Sequence, residues 1–287
     1  MVVTQTTLTI ALLLSALYAL ISVGFTMIFG VGGVLNVAHA AYLTLGAYLM
    51  LYSTQLLGIG PWPATILAVL LTGIFSALIY IGPVRLIEDD PIIVVIVTLL
   101  IFLVVEEVFY VLEGTSPKSL PVLLAGRVSL AGTSIQTNQI LMFVLSWLTI
   151  LGLLVFVNRT SLGKAIQAVS MTKRGATLVG IDKFRISVVT WLVAGALAGL
   201  GGVFIGTFQT AVYNMGLNPL IIAFSVVILG GLGSIKGSII AAHIIGFLET
   251  LTTSLISPRL TGLAPLLMLV VVLIVRPRGL FGREQTE

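Results

Sequence analysis

The sequence predicts an all-α, polytopic membrane protein with roughly eight or nine transmembrane helices, some broken or short, and a further helical segment at the cytoplasmic surface. Three observations lead there. Of the 287 residues, 58% are hydrophobic and only 8% are charged, whereas about a quarter are charged in ordinary soluble domains; mean hydropathy is +1.20. The apolar residues gather into runs close to the ~20 residues that cross a hydrocarbon core as a helix. The runs are nearly free of charge, and lipid offers an open backbone no partner, so helices are the economical conformation. Residues 1–287 are expected to form one transmembrane domain, because the runs leave no stretch for a separate soluble one. Cysteine is absent, which removes disulfides, thiolate metal sites and cysteine nucleophiles.

The runs lie at about 8–29, 37–57, 62–81, 92–112, 140–157, 186–208, 217–232, 238–255 and 260–275. The first is too long for a signal-peptide core and has no basic region before it, so it is expected to be retained. Pro61, Pro63, Pro91 and Pro219 stand at or just inside helix starts, where a missing N–H is harmless. Orientation follows from basic residues, which favour the cytoplasmic side. Residues 159–185 carry Arg159, Lys164, Lys173, Arg174, Lys183 and Arg185 against Asp182 alone, and the tail carries Arg276, Arg278 and Arg283. Both clusters, and so the C-terminus, are expected inside. If every run crosses, the N-terminus is outside, Arg85 lies in a cytoplasmic turn and 113–138 is an exoplasmic loop. The net charge of +4 then reflects topology rather than nucleic-acid binding.

Three segments carry more specific information. The basic stretch 161–181 mixes Ala165, Ile166, Ala168, Val169 and Met171 with charge, and continues through Ala176, Leu178, Val179, Gly180 and Ile181. That pattern predicts a short helix, a turn and a second helix along the membrane surface, either resting on anionic lipid or offered to a cytoplasmic partner. Between the first two runs, Gly30, Gly32 and Gly33 interrupt the apolar sequence before Asn36 and His39. A break at that depth must line a cavity or find internal partners. Alternatively, Asn36 caps the second helix and His39 bonds a nearby carbonyl. In the third segment, Gly230, Gly231, Gly233 and Gly237 allow tight turns and close helix contact, while Ser234 is placed to cap the following helix. The order Lys236-Gly237-Ser238 is not that of a phosphate-binding loop.

These segments resemble permeases of the branched-chain amino acid type of ABC importer. Gly163, Ala165, Ala168, Ala176, Gly180 and Ile181 match its G-x-A-x-x-A … A-x-x-x-G-I pattern, with Gln167 where many members have arginine. Residues 35–39 are similar to its L-N-x-A-H-G signature, with Ala40 in place of the glycine, and 223–237 resembles its A-F … V-L-G-G-x-G-S-x-x-G element. Ala241, Ala242 and His243 stand where paired glycines are frequent. The resemblance implies that Gly163, Ala165, Gln167, Ala168, Gly180 and Ile181 belong to a cytoplasmic coupling helix that meets an ATPase subunit. It implies a second similar permease, two ATP-binding subunits that hold ATP and magnesium, and an exoplasmic solute-binding protein. The chain itself is expected to bind no cofactor or metal, to have no ATPase site, and to lie in a prokaryotic inner or plasma membrane. Its cargo would be branched-chain or related amino acids.

Charged groups inside spans are costly and ask for a function. Glu106 and Glu107 lie about 20 Å along their helix from Pro91; together with Asn36, His39 and Glu249 they are candidates for the substrate pathway. Glu249 fits a structural role equally well. His243 reads as a packing residue. The acids also permit an ion-coupled secondary transporter, which would leave the helix pair and the glycine motif unexplained. No H-E-x-x-H or serine-nucleophile motif appears, so a membrane enzyme is disfavoured. Gly195, Gly199 and Gly206 predict close helix packing. The segments 25–36 and 224–234 each run from an aromatic residue into clustered glycines and a polar group, a hint of repeated broken helices.

Overall fold

The computed structural model describes residues 5–130, 133–276 and 279–282. Arg278 and Arg283 of the tail cluster lie outside them. Helices are α1 (Gln5–Gly32), α2 (His39–Leu56), α3 (Pro61–Ile79), α4 (Arg85–Ile87), α5 (Pro91–Glu113), α6 (Thr137–Arg159), α7 (Ser161–Met171), α8 (Lys173–Leu178), α9 (Lys183–Phe208), α10 (Leu217–Gly230), α11 (Ile235–Leu255) and α12 (Leu263–Val275). A π-helical turn at Tyr80–Val84, containing Pro83, joins α3 to α4, so Pro61–Ile87 crosses as one rod. Six helices among the described residues are long and apolar enough to span a membrane, while α10 and α12 are shorter apolar helices. The fold is helical and polytopic, as the composition predicted.

Helix starts follow local chemistry. Asp90 precedes Pro91 and accepts from the N–H groups of Ile92 and Ile93 at 3.0 and 3.2 Å; Asp182 does the same for Phe184 and Arg185 at the start of α9. Each satisfies donors that a helix start leaves free.

α1 is the hub, packed against α11, α9, α6, α10 and α7. The helix is 28 residues long, about 40 Å at 1.5 Å per residue. α2 falls short of spanning hydropathy because it carries His39, Thr44, Tyr48, Tyr52 and Ser53, but it is sheathed by α3, α5 and α9 and does not need a lipid-compatible surface. It runs parallel to α5 with a constant separation of 61 residues: Val37 N donates to Thr98 Oγ1 at 3.2 Å, Tyr48 stacks on Phe109 at 4.2 Å, and Tyr52 Oη donates to Glu113 at 2.5 Å. Since Thr98 is about 10 Å into α5, α2 begins inside the bundle. So does α10, because Gly216 lies against the Ala40 backbone in the first turn of α2.

The glycines of α9 serve packing. Gly195 meets Thr72 and Ser76 of α3, and Gly202 fits against the Leu43 carbonyl of α2. One departure from the expected helices is a two-stranded antiparallel hairpin, β1 (Arg127–Leu130) with β2 (Thr133–Gln136), pairing Arg127 with Gln136, in what the sequence suggested was plain loop. It lies on the face that holds Glu113 and Lys118, whose side chains pair at 2.8 Å. The opposite face carries α7 and α8, the ion pair Lys183–Glu88 at 2.8 Å, and Arg85 4.3 Å over the Phe184 ring. These are termed the hairpin face and the helix-pair face.

Gly202→Val is expected to separate α9 from α2, because even a Cβ overlaps the Leu43 carbonyl. Overpacking of this kind costs about 1–3 kcal/mol. A lower unfolding midpoint in detergent is the expected readout, with Gly152→Leu, where a Cβ meets nothing within 4 Å, left near wild type.

Candidate functional site

The most polar interior region is the break between α1 and α2. α1 ends when Gly33 adopts φ +70°, and residues 33–38 turn back into the bundle to reach His39. Asn36 and His39 are both buried. His39 Nε2 is 3.1 Å from the Ile21 carbonyl, and its ring meets Phe25 and Tyr42 edge-on. Asn36 does not cap α2, whose N-cap is Ala38 without a side-chain bond. Asn36 Nδ2 instead donates to Tyr42 Oη at 3.4 Å. Asn36 Oδ1 and His39 Nδ1 are buried with no partner among the described residues. Buried polar groups are rarely left unpaired, so these two atoms are open to a further hydrogen-bond partner.

The glycine motif lies directly beneath. Gly30 and Gly233 face each other so closely that a Cβ on the first stands 3.5 Å from the Cα of the second. Thr26 and Ser238 share a hydrogen bond of 2.6 Å, and Phe25 meets Phe224 edge-on at 6.4 Å. The two aromatic-to-glycine segments therefore both break, and they pack on each other. Gly231, at φ +99°, admits no side chain because the backbone of Phe281 and Gly282 lies against it; Gly230 and Gly237 are in backbone contact. Ser234 Oγ accepts from Gly237 N at 3.1 Å, the cap expected of it.

Residues 161–181 fold as the predicted helix, turn and helix. Thr160 and Thr172 cap the two starts, accepting from Gly163 N at 2.9 Å and Gly175 N at 3.2 Å. At the end of α8, Gly180 takes φ +81°, with Gly180 N bonded to Thr177 O and Ile181 N to Ala176 O, both at 3.0 Å. This is a Schellman closure, which asks for glycine at that position. Gly163 has a packing role: its α-carbon sits against the Phe156 carbonyl and the Val157 backbone, holding α7 to the last turn of α6. Ile166 and Val169 are buried on the same side. Ala165, Gln167 and Ala168 are partly exposed, and Gln167 Nε2 donates to Asn158 Oδ1 at 3.0 Å. The outer side shows Met171, Leu178 and Val179, exposed by 72%, 81% and 75%.

The acids separate by environment. Glu249 is buried, and its Oε1 accepts from Gly262 N at 2.7 Å. Gly262 is the N-cap of α12 and has no side chain to do that work, so Glu249 caps α12 from α11 and meets the positive end of its dipole. Glu249 Oε2 is buried with no partner among the described residues. Glu106 is half-buried and Glu107 exposed, with neither bonded among the described residues; Glu106 borders the buried side of α5, one turn from Phe102 and Phe109, while Glu107 lies on the side turned away from Val94, Thr98, Phe102 and Phe109. They are far from Asn36 and His39, so the structure does not gather the five pathway candidates into one site. His243 Nδ1 is 2.8 Å from the Ile239 carbonyl and packs on Trp147.

Two contacts at the break escaped the sequence. Tyr42 links the break to the bundle, and Lys173 reaches back from α8 to donate to the Gly32 carbonyl at 2.6 Å. Burial, then the neighbouring Lys183, holds the Lys173 ammonium below the usual lysine range, against Glu88 and Asp89. Sequence separations of 6 and 141 residues show why only the first had any local signal.

A multi-pass helical bundle with a polar break in its interior and a capped helix pair on one face is an integral membrane protein. The chain belongs to the family of permease components of branched-chain amino acid transport systems, whose pattern matches residues 7–273. It is 28% identical to the high-affinity branched-chain amino acid transport system permease protein BraD of Pseudomonas aeruginosa, covering 94% of this chain and 93% of the relative. LivH of Escherichia coli is 27% identical, with coverage of 96% and 94%, and a probable LivH permease of Methanocaldococcus jannaschii is 27% identical, with 95% and 90%. No solved structure matches the chain significantly.

Glu249→Gln keeps an oxygen for Gly262 N and is expected to retain both stability and uptake, whereas Glu249→Leu removes the cap and costs about 1–2 kcal/mol. A carboxylate that binds cargo through its charge would be lost equally in both, so unfolding midpoints and uptake of the two variants, compared side by side, decide the role.

Proposed function

We propose that this chain is the membrane-spanning subunit of an ATP-driven importer. It moves branched-chain or related amino acids delivered by a solute-binding protein at the hairpin face, while two ATP-binding subunits dock on the helix-pair face. A second, similar permease completes the pathway. ATP and magnesium belong to the docked subunits, and the helix-pair face lies in the cytosol of a cell bounded by the inner or plasma membrane. The clustering of Arg159, Lys164, Lys173, Arg174, Lys183 and Arg185 supports that orientation.

The observation that carries the reading is the α7–α8 pair. It is anchored through Gly163, Ile166 and Val169 and leaves Met171, Leu178 and Val179 uncovered by the rest of the chain. Each such apolar side chain gains about 1.5–3 kcal/mol on full burial, which suits a protein groove better than a purely electrostatic seat on lipid. The acids of α5, Glu107 outward and Glu106 at the edge of the buried side, fit the same scheme. Facing lipid they would be costly, and beside a second permease they would border a hydrated path suited to the ammonium group of an amino acid. One oxygen of Glu249 is engaged in a cap, which gives that acid a role outside the proton relay of a secondary transporter.

Ala168→Glu and Leu178→Asp should each lower co-purification of the ATP-binding subunits by about tenfold or more, since a carboxylate is then pressed into an apolar contact. The permease alone should keep its unfolding midpoint. Purified wild-type complex should hydrolyse ATP faster when loaded solute-binding protein is added. Uptake driven by a proton gradient without ATP, or variants that bind the subunits as wild type does, would overturn the reading.

A further inference from the structure

We infer that Lys173 is the strut through which the α7–α8 pair acts on the α1–α2 break, a positioning residue whose role rests on the transport reading above. Lys173 is the first residue of α8, and its Nζ donates to the Gly32 carbonyl at 2.6 Å. Gly32 is the last residue of α1, so the ammonium meets a carbonyl that the helix leaves unpaired and stands at the negative end of a dipole 28 residues long. A lysine on this face has an alternative. Glu88 and Asp89 are near enough to act on its charge, but Glu88 is held by Lys183 at 2.8 Å and Lys173 turns inward to backbone instead.

The position of that carbonyl gives the contact its consequence. Immediately after Gly32 the chain leaves the helix at Gly33 and turns back through Asn36 to His39. The far end of this return is fixed: Val37 N to Thr98 Oγ1, and His39 to the Ile21 carbonyl. The near end rests on Lys173 and on the Gly30–Gly233 contact. A displacement of α8 is therefore delivered to the near end of the break, while the far end is held to α5 through Thr98. Lys183–Glu88 and Arg85–Phe184 tie the same face to α4 and α9; α7 packs along α1, and Lys173 adds a hydrogen bond from the pair to the end of that helix.

The test uses the full complex with its ATP-binding subunits and solute-binding protein in nanodiscs, comparing wild type, Lys173→Met and Lys173→Arg. Lys173→Met should keep the ATP-binding subunits and the basal ATPase rate but lose the stimulation by loaded solute-binding protein about tenfold, the value of a hydrogen bond to a charged group. Lys173→Arg should recover most of it. The chain has no native cysteine, so Leu35→Cys gives a clean second readout: its thiol labelling rate should differ between nucleotide-free and ATP-bound wild type, and should not in Lys173→Met. Normal stimulation together with nucleotide-dependent labelling in Lys173→Met overturns the inference. So does loss of the ATP-binding subunits from that variant, which would make Lys173 a docking contact. Failure of wild type to take up those subunits would sink the transport reading itself.

Discussion

A bilayer gives an interrupted helix nothing with which to satisfy its free carbonyl and amide groups, and the placement of α1 follows from that demand. Its last turn ends in glycines, and the chain then turns back into the bundle. Three elements contribute groups the break requires. Lys173 supplies a donor to Gly32, and α5 supplies the Thr98 hydroxyl to Val37 N. Ile21, in α1 itself, supplies its carbonyl to His39. With these in place, α2 starts at depth with a polar surface and still meets protein on most sides.

The end of α10 meets the same demand by a different route. Its final carbonyls would be orphaned where Gly231 ends the helix, and the C-terminal segment provides the partners: Leu280 N donates to Leu229 O at 2.7 Å and Phe281 N to Gly230 O at 3.1 Å. The close approach of this strand explains why Gly231 tolerates no Cβ. Gly30 and Gly233 then let the two breaks touch. α1 with α2 and α9 with α10 are thus each a long helix followed by one that begins inside the bundle. The equivalent interruptions are residues 33–38 and 209–216, a pairing different from the resemblance between 25–36 and 224–234 in the sequence.

What could be read from the residues depended on the range of the interaction. Spans were legible because burial in lipid is a property of composition, and Ser234 was legible as a cap because its partner is three residues away. The helix pair was equally local: Ala176, Gly180 and Ile181 close the same turn. Glu249 stayed ambiguous because its partner, Gly262, is an amide that any residue carries. The hairpin escaped notice because β1 and β2 have four residues each, too few to stand out from loop. Lys173 counted only as one charge among six in its segment, although its side chain reaches the hub helix.

A helix pair transmits displacement only when its own joints are stiffer than the element it moves. The joint between α6 and α7 is locked twice by Thr160, which donates to the Phe156 carbonyl at 2.7 Å and accepts from Gly163 N. Thr172 caps α8 and Gly180 closes it, leaving no free backbone turn between Ser161 and Ile181. The break in α1, by contrast, has buried polar atoms with no fixed partner, Asn36 Oδ1 and His39 Nδ1. Capped and closed helix ends thus flank one region whose buried polar atoms lack fixed partners, and under the proposed coupling a displacement of the helix pair would be taken up there, beside the polar interior.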